Sequence, residues 1–484
     1  MTVGVSDCRS DEICGAKADF SDCLVGIVHF GVGAFHRAHQ AVYTHDVMEK
    51  SGGDWRIMAV SLRSTDLADD LNEQNGSYSL MIRGKEESSL KIVKSIKSVI
   101  AAVRGMDEIY QYLSAPDTKI VSMTLTEKAY GIDQNGALDL THEAVAHDLS
   151  NPDKPKGIIG IITKGLQLRK ELGLSAFTVL CCDNLSQNGD LVRGGVLSFA
   201  DKIGETELAA WIADKATFPN TMVDRITPAT TDALGGEIEC SFGVRDAVPV
   251  ETEAFSQWVI EDKFADGRPD WEDAGVLFAD DVKPYEHAKP RILNGSHSLI
   301  AYAGFLSGKK YVRDVMADDP FCDLVRSYMN AAVATLEPLE QLDYQDYVEQ
   351  LIERFKNPNI AHETYQIAMD GSQKMPQRIF TAAVDALASG NSLRPFTFAT
   401  AAWIRYCSGV SENGEGYQLR DPREEELMQA FDDGSNNALK IVENFLAISS
   451  LFPEALIQSE TWKNEVGYHL KSMIEQGVYA SIQP

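Results

Sequence analysis

Short apolar runs and amphipathic stretches alternate along the first half of the chain. Leu24–Phe30, Trp55–Leu62, Lys119–Leu125 and Ala176–Cys182 are runs of strand length bounded by polar or turn residues. Between them, Phe35–Lys50 and Lys156–Leu172 carry apolar residues at helical spacing. Alternation of this kind builds a mostly parallel sheet covered by helices. From about Pro284 the pattern changes to helical periods throughout. These fall at Leu293–Leu306, Phe321–Leu336, Tyr344–Phe355, Pro395–Cys407, Glu424–Phe431 and Ala438–Ile448. The expected fold is α/β, with a sheet domain over 1–283 and a mainly α-helical domain over 284–484. There is no internal repeat and no low-complexity segment.

Composition narrows the function classes. The chain has 484 residues, 44% of them hydrophobic, enough for a sizeable core. Its net charge of −28 argues against nucleic acid, because phosphate binding needs a basic surface. No run of about 18 apolar residues is present, so no membrane span is expected. Met1 to Phe20 mixes charged and small residues without the apolar centre of a signal peptide. The eight cysteines are scattered, with no C-x-x-C pair and no ladder of a disulfide framework, which fits a reducing cytoplasm. The pair Cys181-Cys182 ends an apolar run and is expected to be buried. A small molecule is the expected partner, with the chain a monomer or a small homo-oligomer.

The first strand runs into Gly31-Val32-Gly33-Ala34-Phe35. Two glycines one residue apart after a strand permit a tight turn and close approach of backbone to a pyrophosphate, and a following helix adds free N–H groups. The third glycine of the full fingerprint would fall at His36, so a purely structural turn explains the pair as well. The second strand should end beside the adenosine ribose, where Asp66 is placed to accept from the hydroxyls and repel a 2′-phosphate. Arg63 points the other way, toward NADP, and NAD is the expected cofactor. His36 and His39 are three apart, but no companion ligand is near and no metal is expected.

A second constellation lies at Lys289-Pro290-Arg291-Ile-Leu-Asn294-Gly-Ser-His297. Proline is favoured in the first turn of a helix, so a helix is expected to start at Pro290. Asn294 and His297 then share a face, with Lys289 at the lead-in. An amine, a carboxamide and an imidazole suit alcohol oxidation without metal. A lysine of lowered pKa takes the hydroxyl proton, the amide donates to the alkoxide and the imidazole orients the hydroxyl. A capped helix with an exposed lysine is the plain alternative. Three further segments place polar groups at strand ends or breaks. Asn184 follows the strand Ala176–Cys182, Asp224-Arg225 precedes Pro228 and reads equally as a surface ion pair, and Asp370-Gly371-Ser-Gln-Lys374-Met-Pro-Gln-Arg378 breaks two helices.

These segments together resemble the polyol-specific long-chain dehydrogenases, the mannitol dehydrogenase family, from about Gly26 to Gly416. The markers are G-V-G-A-F-H-R-A-H-Q from Gly31, T-L-T-E-K from Thr124, C-D-N from Cys182 and T-M-V-D-R-I-T-P from Thr221. Q-W-V-I-E-D-K-F from Gln257, G-R-P-D-W from Gly267, N-G-S-H from Asn294 and D-G-S-Q-K from Asp370 complete them. The resemblance implies an N-terminal Rossmann-type NAD-binding domain, a helical C-terminal domain and a zinc-free mechanism. It implies Lys289 as general acid/base, Asn184 and Asn294 as the oxyanion-stabilising pair, and His297 and Asp224 as substrate-holding or supporting groups. Glu286 matches a family glutamate that relays the proton, although His287 beside it departs from the usual pattern.

The family divides by substrate, and a carboxylate needs a cation to hold it. Lys128, Arg291, Lys374 and Arg378 are the candidate cations, and Gln373 and Gln377 also resemble the sugar-acid branch. The expected reaction is interconversion of D-mannonate and D-fructuronate with NAD. Leu62-Arg63-Ser64-Thr65-Asp66 resembles the mannitol branch and keeps mannitol 2-dehydrogenase as the alternative. A nicotinamide-binding protein without catalysis is the third reading, which the intact Lys289, Asn294 and His297 disfavour.

Overall fold

The computed structural model describes residues 2–133, 136–339, 342–432 and 437–482, and the side chains of 127 and 128 lie outside the described set. The chain forms two compact units, Met1–Lys283 and Pro284–Pro484.

Five strands build the central sheet of the first unit: β1 (Val25–Phe30), β2 (Arg56–Ser61), β3 (Ile96–Ala101), β4 (Ile120–Met123) and β5 (Thr178–Cys181). Their spatial order is β3-β2-β1-β4-β5 and every neighbouring pair is parallel. Strand order therefore reverses between β1 and β4, the kind of point at which open α/β sheets bind ligands outside the carboxyl ends of their strands. Both faces are covered, which is why the strands read as nearly continuous apolar runs. Val28, Phe30, Met58 and Val121 pack on one side with Ile158 and Ile162. Ile27, Ile57, Ala59 and Leu180 pack on the other, in the cluster that holds Trp258 and Trp271. Beyond β5 the backbone of Thr217 extends the edge, its carbonyl accepting from the Val179 N–H at 2.9 Å.

Smaller sheets decorate this unit. Tyr78–Arg83 pairs antiparallel with Ser88–Val93 and parallel with Val250–Glu253. Thr221–Asp224, Gln257–Glu261 and Leu277–Ala279 form a mixed three-stranded sheet. The predicted helix over Phe35–Lys50 is two helices, α1 (Ala34–Ala38) and Gln40–Ser51. His39 breaks them at φ −125° and ψ −97°, its ring fixed by Nε2 lying 3.0 Å from the Gln257 carbonyl oxygen.

The second unit is helical, with Asp319–Val333, Tyr344–Phe355, Arg394–Tyr406, Glu424–Phe431 and Ala438–Leu446 at or near the expected places. The expected helix start at Pro290 is corrected. Helix α2 (Lys283–Lys289) runs through a five-residue π-helical turn, Pro290–Asn294, into α3 (Gly295–Leu306). Proline has no N–H to give to the carbonyl four residues back, and the ladder slips by one residue. The Gly295 N–H donates to the Pro290 carbonyl, five residues back. The same device recurs where α4 (Gly371–Met375) passes through Pro376–Phe380 into α5 (Thr381–Ser389), with the Thr381 N–H donating to the Pro376 carbonyl. The two π-turns pack against each other. The buried hydroxyl of Tyr328 lies 3.2 Å from the Arg291 carbonyl oxygen and 3.1 Å from that of Arg378, one from each turn.

Candidate active site

In the first unit, β1 ends at Gly31, whose φ is +97°. A β-carbon there would lie 2.0 Å from the Thr124 carbonyl oxygen, so the position excludes every other residue. Gly33 differs: its backbone is extended, and a β-carbon would meet nothing within 4 Å. Gly31 is thus required by the protein's own packing, while Gly33 keeps open the space beside the loop Gly31-Val32-Gly33 and the start of α1 at Ala34-Phe35. That arrangement fits a dinucleotide passing close to backbone.

The third-glycine position is filled by His36, which is buried and stacked on His29 with ring centroids 3.4 Å apart. Burial holds His36 well below the usual histidine range, and burial pushes His29 down to about 3. His29 lies 2.8 Å from Ser122 Oγ and 3.0 Å from Thr124 Oγ1, tying β1 to the end of β4. The histidines of this motif therefore pack the loop from beneath. Asp66 is exposed and opens the helix Asp66–Glu73 after β2, and Arg63 is exposed in the same connection.

Asn184 is exposed in the loop that follows β5. Its neighbour Asp183 anchors that loop: the carboxylate accepts from the Leu125 N–H at 2.7 Å and from the Tyr130 hydroxyl. The T-L-T-E-K and C-D-N segments are thereby joined at the carboxyl edge of the sheet. Asp224 is buried at the end of its strand. Arg225 is buried too, and donates to the carbonyls of Ala38 and Glu253. The surface Asp–Arg pair considered from sequence is replaced by a buried arginine serving backbone. The side chain of Lys128 lies outside the described residues.

In the second unit, Lys289 is half-buried at the end of α2 and Asn294 closes the π-turn that follows. A π-turn stacks residues five apart, so Asn294 returns toward the Lys289 side of the helix. His297 follows three residues later, on the same face as Asn294. Glu286 is half-buried one turn before Lys289, and His287 is exposed.

His297 is buried and its Nε2 has no hydrogen-bond partner among the described residues. Burial lowers its pKa well below the usual histidine value, and the charges of His362, Arg378 and Arg354 act in the same direction. It is neutral at neutral pH, with one ring nitrogen to donate and one to accept. His362 meets it edge to face, with ring centroids 5.3 Å apart. Nothing in the spacing of the sequence singled out His362: it stands alone in a polar connector, and only the fold brings it to His297.

Arg378 lies at the same helix, its Nη1 3.2 Å from Ser298 Oγ and 3.5 Å from the Asn294 carbonyl oxygen. It makes no ion pair among the described residues. Lys374 donates to the Met369 carbonyl at 2.5 Å and reaches the Asp370 carboxylate only at 4.0 Å. Burial, then the Arg378 charge, lowers the Lys374 pKa.

Arg291 is not brought to this group. It stands two residues after Lys289, on the opposite side of the helix. Its guanidinium pairs with Asp385 at 2.7 Å and donates to the Thr335 carbonyl and Oγ1, both at 3.0 Å. Its hydrogen-bonding fork is spent on the helix Asp319–Val333 end and on α5. Among the described residues, one group has metal-ligand proximity, His45, Asp46 and Glu49, and there Asp46 is paired with Lys91.

Residues 25–273 match the mannitol dehydrogenase Rossmann domain and residues 281–474 the mannitol dehydrogenase C-terminal domain. The chain belongs to the mannitol dehydrogenase family. The family's secondary-alcohol oxidoreductases are NAD-dependent, and the chain is an enzyme of this class. It is 41% identical over 457 residues to the D-mannonate oxidoreductase of Escherichia coli, covering 93% of both chains. It is 38% identical over 465 residues to the mannitol 2-dehydrogenase of Phaeosphaeria nodorum, covering 94% of this chain and 80% of that one. Among solved structures, it matches the Pseudomonas fluorescens mannitol 2-dehydrogenase ternary complex with NAD and D-mannitol at 36% identity and a TM-score of 0.83. That match covers 100% of this chain and 99% of the other. A substrate-free D-sorbitol dehydrogenase matches at 32% identity and a TM-score of 0.91, with 100% of both chains covered. No helix among the described residues is long and apolar enough to cross a membrane.

Proposed function

We propose that the chain is a cytoplasmic, NAD-dependent oxidoreductase that interconverts D-mannonate and D-fructuronate, with Lys289 as its acid/base. The observation that supports the sugar-acid reading is the half-buried guanidinium of Arg378, with Lys374 beside it and, among the described residues, no carboxylate within ion-pair distance of the arginine. A cation partly withdrawn from water and left without an anion carries part of the cost of a buried charge, and a substrate carboxylate offsets it. The E. coli relative named D-mannonate oxidoreductase favours the same reading.

Bound NAD supplies the hydride acceptor for alcohol oxidation. The chain's own residues do the rest. Lys289, half-buried and losing water as substrate seats, takes the hydroxyl proton in oxidation and returns it in reduction. Asn294 donates to the oxygen on which charge develops. Neutral His297 orients the hydroxyl, and Glu286 passes the lysine's proton toward solvent. Asn184 is assigned as a second carboxamide donor and Asp224 as a substrate-supporting carboxylate. With a lysine as acid/base, no metal is invoked. Gly31, Val32, Gly33, Ala34 and Phe35 would hold the dinucleotide, and Asp66 favours NAD over NADP at the ribose.

The second reading, mannitol 2-dehydrogenase, is favoured by relatives at 38% and 36% identity that carry that name. Initial rates of NADH oxidation with D-fructuronate and D-fructose, measured side by side, separate the two. The sugar-acid reading expects a higher kcat/KM with D-fructuronate. Turnover of D-fructose alone contradicts it. The same assay with NADPH tests the cofactor assignment.

A further inference from the structure

One cluster in the second unit holds more hydrogen-bonding capacity than its neighbours use. Nε2 of buried His297 has no hydrogen-bond partner among the described residues. The half-buried ring of His362 packs edge to face on His297, with planes at 81°, and makes no hydrogen bond among the described residues. Among the described residues Arg378 reaches only a serine hydroxyl and a carbonyl, the latter at 3.5 Å. Polar groups that are buried are normally paired, so an unpaired buried ring nitrogen beside a half-buried imidazole and a guanidinium without an anion marks a place for a ligand.

The charges around His362 decide what that ligand is. Lys374, on α4, acts on its imidazole, and burial and that charge together favour the neutral ring. His297, on α3, faces it and is itself under the charges of Arg378 and Arg354. Asp370 lies 4.0 Å from Lys374 and Asp421 also acts on that lysine, so its charge is partly offset. The adjacent Glu363 carboxylate is engaged elsewhere, 3.4 Å from Lys310 Nζ. The field at the imidazole is therefore set by cations, and it suits an anion.

We propose that His362 contacts the substrate and, with Lys374 and Arg378, forms a subsite for the carboxylate of a sugar acid, carrying a proton while that carboxylate is bound. The inference rests on the sugar-acid reading above. Its physical content is linkage. In the free enzyme burial, then the Lys374 charge, favours the neutral form of His362. A carboxylate placed against it favours the charged form, so binding of the acid draws a proton from solvent. Affinity for the acid then rises as pH falls through the histidine range, where a sugar acid is itself fully ionised. An uncharged polyol brings no such change.

The test uses the full-length enzyme with D-mannonate and D-mannitol, each from pH 5.5 to about 8, as wild type and as His362→Phe. Phenylalanine keeps the ring that packs on His297 and removes both nitrogens. For wild type, 1/KM for D-mannonate rises toward low pH, whereas any response for D-mannitol is flat. In His362→Phe the rise disappears and kcat/KM for D-mannonate falls about ten- to a hundredfold, the worth of one charge-assisted hydrogen bond. A thermal melt checks folding, and His362→Gln carries the measurement if the phenylalanine variant does not fold. Variants that keep the wild-type pH profile for D-mannonate, or that lose both substrates equally, overturn the subsite while leaving the sugar-acid reading standing. A wild-type enzyme that does not oxidise D-mannonate overturns both.

Discussion

Gly295 and Tyr328 fit so closely that a β-carbon on the glycine would lie 2.0 Å from the tyrosine hydroxyl oxygen and 2.9 Å from the Arg378 carbonyl oxygen. The glycine of N-G-S-H thus lets two π-turns meet at one buried hydroxyl. Its φ of −64° is helical, so intrinsic propensity alone would favour alanine by about 1 kcal/mol. Sterics decide the other way. Gly295→Ala is expected to destabilise by about 1–3 kcal/mol, the cost of overpacking a close-fitted core. Tyr328→Phe removes the nearest clashing atom. The double variant is therefore expected to be less destabilised than the sum of the two single variants, because the 2.8 Å approach to Cζ and the Arg378 carbonyl remain but the 2.0 Å one is gone. Thermal melts of the four proteins check this, and strict additivity would refute it.

The two glycines of the loop Gly31-Val32-Gly33, proposed to hold the dinucleotide, should respond to substitution in opposite ways. Gly31→Ala meets both a positive φ and the Thr124 carbonyl, and is expected to lower stability by about 1–3 kcal/mol or more. Gly33→Val adds a branched side chain to extended backbone in open space, so the melting temperature should stay near wild type. Its NADH affinity, read by fluorescence titration, should fall about tenfold or more, because the new methyls occupy the approach to the backbone. Unchanged NADH binding in Gly33→Val would remove this loop from the cofactor site.

Arg291→Ala should lower kcat/KM for a sugar acid and for a polyol by the same factor. The arginine braces the π-turn through Asp385 and Thr335. Loss of these contacts is expected to cost about 1–2 kcal/mol, which lowers the melting temperature by about one to a few degrees. A loss confined to the sugar acid would return Arg291 to the substrate site.

Buried neutral histidines make the fold sensitive to acid. Burial pushes His29 and His45 down to about 3 and His469 to about 4. Each has a folded pKa below its unfolded value of about 6.5. Between those values the unfolded chain binds more protons, so stability falls as pH drops from about 6.5 toward 4 and below. The slope approaches about 1.4 kcal/mol per pH unit for each such histidine. The melting temperature should therefore decline steeply across this window, starting before most carboxylates titrate. A flat melting temperature down to pH 4.5 would contradict the burial of these rings.

Much of this architecture was legible in the residues. The apolar runs around Ile27, Ile57, Val121 and Val179 announced a parallel sheet, because strands buried on both faces cannot hide their composition. Tyr344–Phe355 and Glu424–Phe431 were readable to the residue from their periods. Lys289, Asn294 and His297 stood out because an amine, a carboxamide and an imidazole fall close together around one expected helix start. Pro290 misled for a physical reason: proline marks a helix start by its geometry, and only the surrounding packing can hold it inside a helix as a π-turn. Arg291 was attractive as a cation, but its partner Asp385 is 94 positions away in sequence, and such pairings are set by tertiary structure. His362 was invisible for the same reason, since its meaning comes from His297, Lys374 and Arg378 on other elements.

The assignment of Lys289 as acid/base is tested most directly by the rate of NADH oxidation with D-fructuronate, wild type against Lys289→Ala at saturating cofactor. A fall of about 10²- to 10⁴-fold in turnover is expected, with NADH affinity and melting temperature unchanged. Turnover within a few-fold of wild type would contradict the mechanism proposed here.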